Sequence, residues 1–156
     1  MNRGRNIPAA MALARFLILE PQGNRAAANF LRLKAIVDRW VVKKDKNSYT
    51  INVYMTTPPD RKKKHNDFSV FDVSLPIVIA AKEMNKEYEN DIDRFIDRFD
   101  MMCSMINEKI EDNKGFYWKF YVPYFAQMAE KELTDTFARM AFISTNDSSV
   151  IECPYT

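Results

Sequence analysis

Histidine occurs once in this chain of 156 residues, cysteine twice and glycine three times, and each shortage removes a class of chemistry. With His65 as the lone imidazole, a His-based metal centre or a Ser-His triad lacks its constituents. Cys103 and Cys153 cannot build a disulfide framework and do not have the CxxC spacing of redox or zinc sites. A reducing, cytoplasmic setting is their simplest reading, with a single bridge as the alternative. Gly4, Gly23 and Gly115 stand singly, so the glycine-rich loops that cradle phosphates are missing; those loops need glycine on steric grounds. An excess of one charge is missing too, because the net charge is only +2 and gives no global field towards nucleic acid or membrane. No stretch reaches the ~18 uninterrupted apolar residues of a membrane span. Met1 to Leu19 mimics a secretory signal, with basic residues ahead of an apolar run. Arg15 interrupts that run, and Glu20-Pro21 stands where a small-residue cleavage site belongs. Export of a longer precursor is the competing reading. No cofactor is expected.

What is present is a core. Apolar residues make up 47% and aromatics 13% of the chain, enough for one folded domain. Ile7 to Leu19 reads as a helix with Pro8 in its first turn, ended by Pro21 and Gly23. Asn24 then caps a second helix to about Val41, with Phe30, Leu33, Val37 and Trp40 or Val41 on its stripe. The short connection makes the two antiparallel neighbours. The period changes at "SYTINVYMTT", where Tyr49, Ile51, Val53 and Met55 alternate with polar residues and Tyr54 as in a strand. Phe68 to Val73 is either its hairpin partner or the lead-in to a helix capped by Ser74 and running to about Tyr88. Asp91 to Glu111 carries a buried seam of Ile92, Ile96, Phe99, Cys103, Ile106 and Ile110. Gly115 ends it in a left-handed conformation. A further helix runs from Phe116 to about Lys131, kinked at Pro123, and a last one begins at Thr134 or Asp135. The expectation is a mostly α single domain. A helix pair over 1–41 precedes a β or loop insertion over 42–73, a bundle over 74–143 and an irregular tail over 144–156.

The stretch "GRNIPAAMALARFLILEP" resembles the second half of a tetratricopeptide repeat. Gly4 precedes the helix, Ala9, Leu13 and Leu17 recur along it, and Glu20-Pro21 closes it. Phe16 stands where that family has a small residue, and Asn24 to Ile36 lacks the standard first-helix pattern. No further copy follows at the repeat's spacing. The resemblance implies a repeat entered midway, from a truncated array or one decayed into an ordinary helix pair. It also implies a scaffold whose concave face takes peptides or helices. "KGFYWKFYVPYFAQMAE" is similar to the C-terminal part of uncharacterised bacterial proteins carrying a few such repeats, which brings no activity with it.

Three clusters could carry function. Asp93, Asp97 and Asp100 share a helical face that could hold a divalent ion or an acid/base pair. The wet side of an amphipathic helix, with Arg94 and Arg98 interspersed, accounts for them more simply. Residues 41–66 hold seven Lys/Arg against two Asp, concentrated in Lys43, Lys44, Lys46, Arg61, Lys62, Lys63 and Lys64. That patch suits phosphates or another polyanion, although no aromatic within the loop offers base stacking. "FYWKFYVPYF" packs seven aromatics into ten residues, as a central bundle helix or as a binding surface would. The reading that combines these features is a non-catalytic interaction or scaffold domain. Its protein or peptide partner would meet Tyr117, Trp118, Tyr121 and Tyr124 and the groove beside helix 7–19. Nucleic-acid or polyanion binding through the basic segments is the alternative.

Overall fold

The computed structural model describes residues 6–45, 48–53, 66–108 and 115–143. Its first elements are α1 (Asn6–Leu19) and α2 (Asn24–Trp40), which pack along one another. The turn between them needs Gly23, whose φ of 95° is open to glycine at no steric cost. Gly23 itself occupies the N-cap of α2, one residue earlier than the Asn24 cap read from sequence. Ile7, Ala10, Met11, Ala14 and Leu17 bury one side of α1 against Ala26, Phe30, Leu33 and Val37 of α2 and the helices beyond.

Two strands follow, β1 (Val41–Asp45) and β2 (Ser48–Ile51), paired antiparallel with Val41 opposite Ile51 and Lys43 opposite Tyr49. The sequence points to a strand beginning near Tyr49, but its partner is the segment directly after α2, not residues 68–73. Those residues are helical from Ser69 onward. α3 (Ser69–Glu83) starts ahead of the expected Ser74 cap because Asp67 Oδ1 accepts the Ser69 N–H at 2.9 Å. Pro76 lies inside α3, so the carbonyl one turn earlier, on Asp72, loses its helical donor.

α4 (Asp91–Asn107) is capped by Asn90, whose side chain accepts the Asp93 N–H at 2.8 Å. The expected single helix from Phe116 is two, α5 (Phe116–Phe120) and α6 (Val122–Glu130). They meet at Tyr121, and Pro123 sits in the first turn of α6, where no N–H is missed. α7 (Thr134–Ile143) completes the described chain. Ile110, Cys153 and the tail over 144–156 lie outside the described residues. A single apolar cluster runs from α1 to α7. Its centre is phenylalanine: Phe30, Phe95 and Phe142 meet at 4.6–5.7 Å between ring centroids. Phe99 then joins Phe95, Phe125 and Phe137 at 5.0–6.1 Å. Among the described residues no helix is long and apolar enough to cross a membrane. The architecture is a mostly helical domain with one small antiparallel hairpin.

Gly115 corrects one expectation. Its φ of −167° is extended, not left-handed, and the residue is small for a different reason. A Cβ there would collide with the Asn66 side chain and lie 2.6 Å from the Asn66 backbone nitrogen. Asn66 takes the left-handed conformation instead, with φ 64°, and its Oδ1 accepts the Tyr117 N–H at 2.8 Å. This tertiary cap seats α5 at the N-terminal end of α3. Asn66→Ala should therefore cost about 1 kcal/mol and Gly115→Ala about 2 kcal/mol through overpacking. Urea unfolding of both variants checks this; equal stability to the parent would show that the contact is dispensable.

Candidate interaction surface and charged cleft

The aromatic run of α5 and α6 divides between inside and outside. Trp118 is buried, stacked on Phe68 at 4.5 Å and tilted against Phe71 at 5.9 Å. Only 3% of it is exposed, so it cannot meet a partner directly, contrary to the sequence expectation. Phe125 and Val122 are buried too. The outer side is carried by residues not singled out from sequence: Phe116 is 57% and Phe120 64% exposed. Their rings touch at 5.2 Å, and Phe116 also meets Tyr117 at 5.7 Å and Tyr121 at 5.6 Å. Tyr117 and Tyr121 pack on each other at 5.0 Å. Tyr124 is partly buried and carries the Arg15 guanidinium over its ring at 4.4 Å, which ties α6 to α1. The result is a ridge of Phe116, Phe120, Tyr117 and Tyr121, fixed from below by Trp118. A helix periodicity of four would have picked out Phe116 and Phe120. The break at Tyr121 and the stacking of Trp118 have no sequence signal.

The charged residues gather elsewhere, around a cleft of about 380 Å³ lined by α2, the hairpin, the end of α3 and the start of α4. Its floor is the pair Arg98–Glu83. Arg98 Nε donates to Glu83 Oε1 at 2.6 Å and Nη2 to Oε2 at 2.9 Å, a bidentate fork. The remaining guanidinium donors reach the carbonyls of Val37, Asp38 and Val41 at 3.0–3.3 Å. These are carbonyls at the C-terminal end of α2 that have no continuing helix to meet them. Arg98 is only 3% exposed. Placing it on the wet face of α4 is therefore wrong: it lies three residues after Phe95 and one before Phe99, inside the apolar seam. Tyr49 Oη donates to the Glu83 carbonyl at 3.1 Å and holds the hairpin over this floor.

Asp93, Asp97 and Asp100 of α4 do not form a site together. Asp93 meets the Asn90 amide at 3.0 Å, and Asp100 accepts from Thr134 Oγ1 at 2.7 Å. Asp97 accepts from Lys86 at 2.6 Å and from Tyr88 Oη at 2.9 Å. Burial alone pushes Asp97 up, but hydrogen bonds from Lys86, Tyr88 and Lys82 outweigh it and hold the carboxyl below its ordinary value. Burial, then the Asp97 hydrogen bond, pushes the Tyr88 hydroxyl well up. Cys103 is a free thiol, fully buried, pushed up first by desolvation and then by Asp100. Among the described residues no three acidic, histidine or cysteine side chains are grouped to hold a metal.

Of the basic patch, Lys43 and Lys44 lie exposed on β1, and Lys43 Nζ sits 5.8 Å from the Tyr49 ring centroid at the cleft edge. Lys46, Arg61, Lys62, Lys63, Lys64 and His65 lie outside the described residues. Most other cleft charges answer one another. Lys34 is 2.6 Å from Asp38 and 3.6 Å from Asp91, and Arg94 is 3.5 Å from Asp91. In comparisons with known proteins, the chain matches no family model, no curated protein and no solved structure.

Proposed function

We propose that this chain is a non-catalytic protein-interaction domain that captures an apolar helical or extended peptide segment on the ridge of α5. The observation that supports it is the exposure of Phe116 and Phe120, each more than half open to solvent on a support that Trp118 and Asn66 fix in place. Large aromatic side chains on a rigid base supply most of the free energy at protein interfaces, because little conformational freedom is lost on binding. Lys119 is exposed between them, which favours a partner with an acidic residue beside its apolar contacts. The partly buried Tyr117, Tyr121 and Tyr124 contribute hydroxyl-bearing edges to the rim. The resemblance of residues 4–21 to half of a tetratricopeptide repeat is in keeping with a scaffold role, and the free thiol of Cys103 with a reducing compartment.

The test is capture from native lysate on the full chain, with and without nuclease, washed at low and high salt. A protein partner that survives nuclease and salt is expected, and Phe116→Ser with Phe120→Ser should weaken its binding on the order of thirtyfold. Recovery of nucleic acid that disappears with salt would overturn this reading and direct attention to Lys43, Lys44 and the 61–64 segment.

A further inference from the structure

α3 has the composition of a core helix but only one of its sides is in the core. Phe71, Leu75, Pro76, Ile79 and Ala80 are buried. The opposite side is apolar as well: Val70 is 56%, Val73 37%, Ile77 50%, Val78 41% and Met84 69% exposed. A helix that is apolar all round belongs inside a protein, and α2 and α4, by contrast, turn charged faces to solvent. The outward charge on α3, Lys82, is already engaged with Asp97 at 3.2 Å. From this face, and independently of the α5 ridge, we infer that the chain self-associates as a two-fold dimer through the outer side of α3.

The occupant follows from the pattern of the face. A two-fold interface places one patch against itself, so residue i meets j and j meets i. Antiparallel pairing of α3 about Ile77 sets Val70 against Met84 of the second copy, Val73 against Ala81, and Ile77 against itself. Each pair is apolar, and Ala81 opposite Val73 gives the large-to-small alternation that lets helices approach closely. No acidic or basic side chain falls on the axis, so a second copy meets no like charge, whereas a charged partner would find nothing to pair with. Paired interfaces of this type resemble a domain core cut in half. A helix of this length spans about 22 Å. Its exposed apolar strip is a few hundred Å² per copy, so a dimer buries less than the ~1,200 Å² in total of stable specific interfaces and belongs with the weak, transient ones. Weak, concentration-dependent association is what such a face would give.

Sedimentation equilibrium of the full chain between roughly 1 and 200 μM tests this. A concentration-dependent monomer–dimer equilibrium is expected, with Ile77→Lys raising the dissociation constant on the order of a hundredfold. Circular dichroism and a thermal melt of that variant show whether the monomer remains folded. Ile77 is half exposed, so its replacement leaves the core intact, and Val73→Ser is a milder second variant on the same face. A parent chain that stays monomeric throughout the range overturns the inference, as does a dimer that neither Ile77→Lys nor Val73→Ser weakens.

Discussion

Replacing Arg98 by alanine is expected to remove about 3–5 kcal/mol of stability, the cost of breaking one side of a buried ion pair. Glu83 is 5% exposed and would be left as a buried carboxylate, without the fork that now meets both of its oxygens. The carbonyls of Val37, Asp38 and Val41 would lose their donors at the same time. Arg98→Lys should recover little, since an ammonium cannot supply the planar fork that meets Glu83 and the helix end together. The double variant Arg98→Leu with Glu83→Leu separates the two contributions. Removing both charges spares the uncompensated burial, so it should be more stable than Arg98→Ala. Urea unfolding midpoints for the three variants decide it: a midpoint for Arg98→Ala close to that of the parent would mean that Glu83 finds other solvation and that the pair is incidental.

Asp72 should make the fold more stable as the solution is acidified. The residue is 2% exposed, neither carboxylate oxygen has a hydrogen-bond partner among the described residues, and burial, then Asp67, pushes its pKa from 3.8 up to about 7. A raised folded-state value in an acid means that the folded protein holds a proton that the unfolded chain has released. The cost is absent below the unfolded value, where both states are protonated. It grows as pH rises towards 7 and is fully present above it. A shift of about three pH units corresponds to at most ~4 kcal/mol between pH 4 and pH 8. Asp97, with its lowered value, acts in the opposite direction and only in the more acidic range below 3.8. Asp72→Asn removes the ionisation while keeping the shape. It should be about 2 kcal/mol more stable than the parent at pH 8 and no more stable at pH 4. Parallel stability profiles for the two proteins across that range would show that Asp72 is solvated.

The helices are legible in the sequence because their signals are local. The seam of α4 from Ile92 to Ile106, the proline-glycine stop after α1 and the apolar stripe of α2 all lie within single elements or at their ends. The structure has them within a few residues. What sequence alone does not reveal depends on contacts between distant segments. The partner of β2 can be sought among flanking segments, but Val41–Asp45 reads only as the start of the β or loop insertion, with no alternation of its own to mark a strand. Trp118 reads as a surface anchor because tryptophan suits interfaces; Phe68, fifty positions away, puts it inside. Charge alone assigns Arg98 to the wet face, although its position between Phe95 and Met102 puts it on the core side. Asn66 and Gly115 carry no local signal for their contact, since the glycine's role is to leave room and not to bend.

The Arg98 contacts also bear on the order in which the molecule assembles. The pairing of α1 with α2 joins neighbours in the chain, and helix pairs of that kind form early because little loop entropy opposes them. The guanidinium bonds to Val37, Asp38 and Val41 close loops of 57–61 residues and require α3 and α4 to be in place. Loop closure of that length is entropically opposed until other contacts have drawn its ends together. The cluster at Arg98 is therefore a late-forming lock: it does little to speed folding and much to delay escape from the folded state.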